Sequence, residues 1–438
     1  MKKAETPTIR LLNSVYKYLV AAIFIFIPLY PKFPLFTVPF TYVAIRAEDF
    51  LIGITLLVLF TKFVIEKNLK FPKATQLFII YLGIGLLSSL SAILITKNVS
   101  APLVMLHYFR RIEYMSLFFI VYFAAKTAGT RKYYFELAIL PAIGVLLYGL
   151  AQIYLGAPVI STMDAESSKG TALTLRAGVM LNSTFAGHYD LAVYLIMMMT
   201  YLITISFSFK KNISRILMVV PFFALLWLFM QAGSRIGLVG LTLSICILAY
   251  YYKKFVFGFI YVVIVFGSIL TSPQYIGRFM NLYKVVIDKF SMVQVFKPVY
   301  AAEEAQRAIQ NDTSTSIRFD VEWPRAMRSF YKNPLLGTGY SSISLATDND
   351  YLRSLGETGI LGLLSFLSLL FYLFKKLKLA SATNEGFNKI ISVATLGIFI
   401  AFISSAIFID VFESSKIAIL FWAYLGLAFS INTKTDNA

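Results

Sequence analysis

A run of charged residues directly precedes a strongly apolar segment in the sequence TDNDYLRSLGETGILGLL, residues 347–364. The run contains Asp348, Asp350, Arg353 and Glu357, although a charge at membrane depth costs several kcal/mol. A carboxylate is ionised at neutral pH unless it is deeply buried, so Asp348 can accept a proton from a hydroxyl group. The stretch therefore contains a candidate general base beside a candidate anion-binding arginine.

Helix capping explains part of this polar stretch. Asp348 or Asn349 can accept a hydrogen bond from an N–H group at a helix start, and acidic side chains suit the positive end of the helix dipole. Capping does not account for Arg353 and Glu357, which lie a further turn into the segment. Asn349, Tyr351, Arg353 and Glu357 are therefore predicted to contact substrate, and Glu357 is predicted to orient Arg318 or Arg353.

A second candidate anion-binding feature is the very short turn QAGSRIG, residues 231–237. It places Arg235 beside Gly233 and Ser234, whose backbone N–H groups could face an anion. An arginine that simply reaches the membrane surface from a helix end is the alternative. The guanidinium offers a fixed fork to phosphate, whereas a lysine would suffice for reaching the surface.

A third feature is the segment SIRFDVEWPRAMRSFYKNPLLGTGYSS, residues 316–342. Arg318, Glu322 and Ala326 share one helix face by i, i+4 spacing, and a solvated surface arginine is the alternative reading of Arg318. The glycines Gly337 and Gly339 then break the helix. They are expected to let this loop approach a sugar closely.

Two further features lie near the ends of apolar segments. Arg110 and Arg111 lie a turn inside a predicted membrane span, where Arg110 and Glu113 are spaced for an ion pair at i, i+3. Charges within a span commonly mark a substrate pathway, so both arginines are kept as candidate substrate-binding residues. His188, in the sequence AGHYD, is a candidate residue on the acceptor side.

The composition indicates a membrane protein that crosses the bilayer many times. The 438 residues are 58% hydrophobic and 14% charged, whereas a soluble protein carries roughly 25% charged residues. Apolar runs of near-spanning length recur along the whole chain. The predicted fold is all-α, with about twelve spans: Val15–Tyr30, Phe50–Ile65, Gln76–Ile95, Met105–Ala124, Phe135–Leu155, Tyr189–Phe207, Ile216–Met230, Ile236–Tyr252, Phe255–Thr271, Gly359–Phe374, Ile390–Ile409 and Ile417–Ile431.

The distribution of Lys and Arg predicts that both termini are cytoplasmic. With twelve spans, these residues are about three times as frequent in the cytoplasmic segments as in the short external loops, as the positive-inside rule requires. The net charge of +18 therefore reflects orientation and contact with the lipid bilayer. Nothing in the pattern indicates a nucleic acid partner.

One connection is much longer than the others. Residues 272–358 form a large external loop, and its first part, residues 275–300, has apolar side chains at helical spacing that suit the membrane surface. Three regions follow from this layout: residues 1–271 with spans one to nine, the loop 272–358, and residues 359–438 with spans ten to twelve and a cytoplasmic tail.

Metal and cofactor chemistry are not indicated. The chain has one cysteine, Cys246, which is expected to be a buried apolar residue, and two histidines that are distant in sequence. No His/Cys cluster has the spacing of a metal site, and no glycine-rich nucleotide-binding motif follows a strand-like run. No metal and no cofactor are therefore expected.

Taken together, the SR turn, the loop arginine with NPLLGTGY, and DNDYLRSLGETGILGLL resemble the O-antigen ligase and O-antigen polymerase (Wzy-type) superfamily of bacterial membrane glycan transferases. The motifs extend from about Gly187 to Leu364, and the layout of spans around one large external loop is similar over the whole chain. The resemblance implies that the arginines of the turn and the loop are Arg235 and Arg318. The family commonly has histidine where this chain has Asp348, and acidic versions are more similar to polymerases than to ligases.

The resemblance also implies substrates and a location. The donor would be a glycan linked through diphosphate to a polyprenyl lipid, and the acceptor another glycan, at the outer face of the bacterial inner membrane. Envelope-glycan assembly proteins are expected partners. Because the lipid diphosphate is a good leaving group, Arg235 and Arg318 would stabilise its charge and Asp348 would act as the base, without a metal.

Two other classes of protein are compatible with many spans. A transporter of a lipid-linked or anionic substrate is the main alternative, but transporters usually show repeated halves with broken helices at matching positions, and no internal repeat is visible. A purely structural role would not explain the arginines or the glycines of NPLLGTGY and of residues 347–364. A membrane glycan transferase, with polymerase preferred over ligase, is the function that the sequence predicts.

Overall fold

The computed structural model of the chain describes residues 7–66, 70–161, 171–173, 180–209, 213, 218–270, 317–343 and 346–431. The amphipathic segment predicted at residues 275–300 and most of the external loop before residue 317 lie outside these ranges. The described helices, numbered in chain order, are α1 Pro7–Leu29, α2 Ala47–Glu66, α3 Thr75–Ser91, α4 Ala101–Ala124, α5 Ala128–Ile139, α6 Pro141–Tyr154, α7 His188–Ser208, α8 Val219–Ala232, α9 Arg235–Tyr252, α10 Phe255–Leu270, α11 Trp323–Lys332, α12 Asp350–Thr383, α13 Gly386–Ser405 and α14 Ser415–Phe429.

The helices confirm the prediction of an all-α polytopic membrane protein. The fifth predicted span, Phe135–Leu155, is divided between α5 and α6, whereas each of the other predicted spans overlaps one described helix. Seven helical segments are long and apolar enough to cross a membrane. The number of spans stays a prediction, because α8, α10 and α14 have only 14, 16 and 15 residues. Two further helices, α2 and α4, carry several charged side chains.

Two short antiparallel ribbons are the only β-structure in the described ranges. Strands β1 Pro34–Thr37 and β2 Ala44–Arg46 pair between α1 and α2. Strands β3 Val159–Ser161 and β4 Thr171–Leu173 pair within the connection between α6 and α7. Both ribbons belong to loops that were predicted to be external.

The centre of the bundle is formed by helices that are apolar on every side. In α7, 89% of the apolar window is buried, as expected for a helix without a polar face. Around it, α9 packs against α13, and α4 packs against α14. Small residues allow these helices to approach closely: a Cβ on Gly240 of α9 would lie 3.2 Å from the Ala401 carbonyl oxygen of α13.

Helix α12 is broken at Gly359, which has φ 67° and ψ −171°. The predicted tenth span was expected to begin at this residue, but helical structure already begins at Asp350. The loop of residues 334–339 lies against the break and restores its hydrogen bonds: the N–H of Ile360 donates to the Pro334 carbonyl at 2.9 Å, and the N–H of Gly339 donates to the Glu357 carbonyl at 2.8 Å. Such repair is required wherever a helix breaks at membrane depth.

The expectation that Cys246 is buried was wrong. Its side chain is exposed on α9. The neighbouring positions Ser244 and Ile245 face the bundle instead, because successive residues of a helix point in different directions.

Candidate functional site

The centre of the candidate site is an ion pair between Arg318 and Asp348. Arg318 begins a π-helical turn, Arg318–Glu322, that leads into α11. Its Nε and Nη2 atoms donate to Asp348 Oδ2 at 3.0 and 2.6 Å. Both bonds end on the same oxygen, so Oδ1 carries neither of them. The Arg318 side chain is 8% exposed and that of Asp348 24%, so the pair is open mainly through its carboxylate.

The surroundings of Asp348 favour its protonated form. Burial raises the pKa of this carboxyl above its ordinary value, and the Arg318 guanidinium acts in the opposite direction. A carboxylate with a raised pKa is a stronger base than an exposed one. The site therefore holds a basic carboxylate beside a fixed cation.

Asp348 is held in an unusual backbone conformation by Asp410. Its φ of 48° lies in the left-handed region, which side chains other than glycine rarely adopt. Asp410 accepts hydrogen bonds from the two flanking peptide groups, with the Thr347 N–H at 2.8 Å and the Asn349 N–H at 3.1 Å. Strained positions of this kind persist only where the surroundings determine them, and Asp410 supplies that constraint.

Arg353 connects Asp410 to Glu357. It donates to Asp410 at 2.8 Å and lies 3.3 Å from Glu357 Oε1. Glu357 also accepts a hydrogen bond from the Ser341 N–H at 3.0 Å. Of the two arginines that Glu357 was predicted to orient, the structure thus places Arg353 beside it.

The start of α12 is tied to the loop between α13 and α14. Asn349 caps the helix, accepting from the Tyr351 and Leu352 N–H groups at 3.1 and 3.0 Å, which is the capping expected from the sequence. Asp350 accepts from the Phe412 N–H at 3.1 Å. The Tyr351 hydroxyl donates to the Ile403 carbonyl of α13 at 2.7 Å.

A second ion pair, formed by Arg111 and Glu413, lies next to this network. Arg111 of α4 forms a salt bridge with Glu413, donates to the Phe412 carbonyl at 3.1 Å and lies 5.6 Å from the centre of the Tyr340 ring. A cavity of about 10 Å³ between Arg111, Tyr340 and Glu413 has room for about one water molecule. Burial opposes ionisation of Glu413, but Arg111 outweighs it and lowers the pKa to about 2.

The neighbouring Arg110 points away from this network. Its guanidinium donates to the Ala44 carbonyl of β2. The ion pair with Glu113 that its spacing suggested is absent from the salt bridges among the described residues. Arg110 and Arg111 therefore support different parts of the end of the bundle that was predicted to be external.

Aromatic rings from the start of α7 border the Arg318–Asp348 pair. The Arg318 guanidinium lies 5.7 Å from the centre of the Tyr189 ring, a distance suited to cation–π attraction. The His188 ring contacts the Tyr189 ring at an angle of 40°, with ring centres 4.0 Å apart. The structure thus brings the predicted His188 next to the central pair.

Arg235 is the first residue of α9 and is half-buried. The side chain of Ser234 caps this helix by accepting from the Gly237 N–H at 3.2 Å. Gly240 packs against Ala401 and Ser405 of α13. Arg235 lies about 7 Å further along the helix axis, toward the end that was predicted to be external. Asp350 lies at the same end of the bundle, where its N–H donates to the Ala406 carbonyl at 2.9 Å.

The two loop glycines contact protein rather than open space. Gly337 and Gly339 have φ of 70° and 90°. A Cβ on Gly337 would collide with the Glu357 carbonyl, and one on Gly339 would collide with Ala92. Their freedom of conformation is thus needed to seat the loop on the break in α12, and their predicted approach to a sugar stays a prediction.

Several residues of the site were missed from the sequence. Asp410 and Glu413 lie in IDVFESSK, residues 409–416, a short polar turn between two apolar spans. The turn with Arg235 was selected because it is a very short connection with a charged residue between two spans, and this turn has the same features. Tyr189 and Tyr340 gave no such signal, because aromatic residues are frequent throughout the chain.

Glu322 is a further carboxyl beside the central pair. Burial, assisted by Asp348, raises its pKa to about 8, and its Oε2 atom is buried without a hydrogen-bond partner among the described residues. At neutral pH this side chain is therefore mostly protonated and can donate a hydrogen bond. Within the described ranges, no group of three His, Cys, Asp or Glu side chains is arranged to hold a metal ion.

Comparison with known families agrees with this arrangement. Residues 220–367 match the family model of the O-antigen ligase, about a third of the chain, from α8 into the second half of α12. This match supports a relationship to the O-antigen ligase and polymerase superfamily of membrane glycan transferases. No curated protein matches the chain. Arg235, Arg318 and Asp348 lie inside the matched residues, whereas Asp410 lies outside them.

Replacement of Asp410 by asparagine is expected to lower the turnover number of glycan transfer by about 10–10²-fold, because displacement of a reacting group by about 1 Å has effects of that size. The expected change is in kcat, with KM little altered, since Asp410 acts through the backbone of Asp348. Steady-state kinetics of the purified variant would measure this.

A double variant distinguishes a positioning role of Asp410 from the effect of leaving the Arg353 cation without a partner. Asp410→Asn also leaves the Arg353 cation without one of its partners, which alone could destabilise the site. Arg353→Gln in the same chain removes that cation. If the double variant regained full activity, the loss would come from Arg353 and the positioning role of Asp410 would be wrong.

Proposed function

We propose that this site transfers a glycan from a polyprenyl-diphosphate-linked donor to a hydroxyl group of an acceptor glycan, and that it acts as a polymerase rather than a ligase. The buried Arg318–Asp348 pair, which is open on its carboxylate side, is the observation that carries the proposal. A fixed cation and a basic carboxylate are the two groups that such a transfer needs.

Asp348 acts as the general base in this proposal. The acceptor hydroxyl oxygen forms a bond to the anomeric carbon of the donor glycan and gives its proton to Asp348 Oδ1. The bond from the anomeric carbon to the diphosphate oxygen breaks, and its electron pair stays on the diphosphate. Oδ1 suits this step because Arg318 binds the other oxygen.

Arg318 links the two halves of the reaction. Its pair with Asp348 uses two of the five N–H donors of a guanidinium, so donors remain for a phosphate oxygen. When Asp348 takes up the proton, its negative charge disappears and the Arg318 cation is no longer compensated. The attraction of Arg318 for the diphosphate therefore increases as negative charge builds there.

The starts of three helices also favour an anion at this end of the bundle. Helices α7, α9 and α12 begin with His188, Arg235 and Asp350 at the external end of the bundle. The start of a helix carries partial positive charge and binds phosphate groups. In this proposal Arg235 binds the diphosphate, and the protonated Glu322 donates a hydrogen bond to it.

Other side chains of the external end are assigned to substrate binding. His188, Asn349, Tyr351, Arg353 and Glu357 would border the acceptor, while Arg110, Arg111, Gly337 and Gly339 shape the wall behind it. Transfer would take place at the outer face of the bacterial inner membrane, with both chain termini in the cytoplasm. Arg318 and Asp348 would then belong to the external loop, residues 272–358, between spans nine and ten.

A reconstituted reaction tests the proposal and the role of Arg235. Purified protein, in vesicles with a lipid-linked oligosaccharide repeat, is expected to produce a ladder of longer glycans and to release polyprenyl diphosphate. Arg235→Ala is expected to reduce both products about 10²–10³-fold, the usual effect of removing one charge-stabilising donor. Gel separation of labelled glycans would measure this.

The exposed Lys253 at the other end of α9 provides the matched control, since Lys253→Gln removes one positive charge from the same helix. Transfer to a non-repeating acceptor without a ladder would identify a ligase and contradict the polymerase assignment. Movement of intact donor across the vesicle membrane without any product would identify a transporter.

A further inference from the structure

A cavity of about 550 Å³ lies at the end of the bundle opposite the candidate site. It is bordered by the segment before α3, the end of α4, the second half of α12 and the end of α14. Its size is within the range of sites that hold small molecules and lipid headgroups. On the topology predicted from Lys and Arg, this end of the bundle faces the cytoplasm.

The polar part of this cavity is strongly basic. Lys70, Lys73, Lys126 and Lys376 line it, and none of the described residues that line it is acidic. Aromatic rings hold two of the ammonium groups: Lys126 Nζ lies 5.2 Å from the centre of the Phe123 ring, and Lys376 Nζ lies 5.9 Å from that of Tyr372. Four lysine side chains around one volume give it a positive potential that attracts anions.

The remaining wall of the cavity is apolar. It is formed by Phe71, Leu377 and Phe429, together with small residues of α12 and α14. Phe71 and Leu379 of this wall are 54% and 38% exposed, so apolar surface continues from the cavity to the outside of the bundle, where acyl chains lie. A free phosphate ion would match the lysines but would gain nothing from this wall.

We propose that this cavity binds the phosphate headgroup of an anionic phospholipid of the cytoplasmic leaflet, with the acyl chains lying against Phe71 and Leu379. Basic pockets between helices on this side of a membrane suit such headgroups. The site is separate from the proposed glycan transfer. It would fix the ends of α3, α4, α12 and α14 to one another through a shared lipid.

The test measures retention of lipid by the full-length protein. Protein purified from vesicles that contain phosphatidylglycerol and phosphatidylcholine is analysed by native mass spectrometry, and one retained phosphatidylglycerol per chain is expected. The double variant Lys126→Gln/Lys376→Gln is expected to bind it roughly thirtyfold more weakly, from the attraction of each lysine for an anionic headgroup.

A charge-matched control lies on the same helix. Lys375 and Lys378 flank Lys376 but do not line the cavity, so Lys375→Gln/Lys378→Gln is expected to retain the lipid as the unaltered chain does. Equal loss in both double variants would show general attraction to an anionic surface and overturn the site. Undiminished retention in Lys126→Gln/Lys376→Gln would overturn it as well.

Inorganic phosphate distinguishes the two sources of the anion. Titrated into detergent-purified protein, phosphate alone is expected to give no binding that depends on Lys126 and Lys376. Phosphate binding that is lost in this variant and kept in the control would assign the cavity to a soluble anion and overturn the lipid. Glycan transfer measured in parallel reports on the external site, so each proposal can fail separately.

Discussion

Replacing Asp348 by asparagine is expected to lower the rate of glycan transfer by about 10²–10⁴-fold, the usual contribution of a general base. The amide has nearly the same shape as the carboxylate and still accepts a hydrogen bond from Arg318, but it cannot take the acceptor proton. Single-turnover measurement of released polyprenyl diphosphate would isolate the chemical step. Donor binding is expected to change little, because Arg235 and Arg318 remain.

The control for this variant is Asp320→Asn, which removes an exposed acid from the turn that contains Arg318. It is expected to transfer glycan at the normal rate. Transfer by Asp348→Asn at more than a tenth of the normal rate would show that Asp348 is not the base.

The pH dependence of activity in the Asp348→His variant provides a further test. The base must be deprotonated to act, so activity falls as the pH decreases through its pKa. Burial raises the pKa of Asp348 from an ordinary value near 4, while an unperturbed imidazole titrates at about 6.5. The histidine variant is expected to regain part of the activity lost in Asp348→Asn, with its acid limb at a different pH, because burial shifts the pKa of a carboxyl and of an imidazole in opposite directions. An unchanged acid limb would show that another group controls it.

Replacing Arg318 by alanine is expected to lower transfer by about 10²–10³-fold, the usual effect of losing one preorganised donor to a developing negative charge. Arg318→Lys keeps the charge but loses the fork that reaches Asp348 through Nε and Nη2, so only part of the activity is expected to return. The rate of the chemical step, measured as for Asp348, would show the order arginine, lysine, alanine.

Loss of Arg318 also leaves Asp348 without its counter-ion, which raises the pKa of the carboxyl further and stabilises its neutral form. Arg318→Ala is therefore expected to be less impaired at alkaline pH than at neutral pH. Arg328→Gln, an exposed arginine on α11, is the matched control and is expected to be fully active. A pH-independent defect equal in Arg318→Ala and Arg328→Gln would contradict the proposed role.

Much of the fold was predictable because a membrane helix can be recognised from its own stretch of sequence. An apolar run of near-spanning length has few other structures open to it in a bilayer. Every predicted span is mainly helical, although the fifth, Phe135–Leu155, is divided between α5 and α6. The break at Gly359 was harder to place. The sequence located the change from polar to apolar at this residue, but the charged residues before it are already helical, because Asn349 caps them and residues 334–339 pair with the break.

Part of the candidate site was also predictable, because some of its residues lie in recognisable local motifs. Arg318, Asp348 and Glu357 lie in dense, distinctive motifs within residues 220–367, the part that matches the family. Their partners come from elsewhere: Arg111 from α4, Tyr189 from α7, and Asp410 from the loop before α14. Which of the many charged loop residues meets Asp348 depends on how distant helices pack, and one sequence contains no direct signal of that packing.

The position of Asp410 has a consequence for how the protein matures during synthesis. Chains are made from the N-terminus onward, so Arg318 and Asp348 leave the ribosome well before the hairpin of α13 and α14 that contains Asp410. Until that hairpin has entered the membrane, nothing from Asp410 holds the left-handed backbone at Asp348. If Asp348 is the base, the newly made chain is therefore expected to transfer glycan slowly until its last two helices are in place.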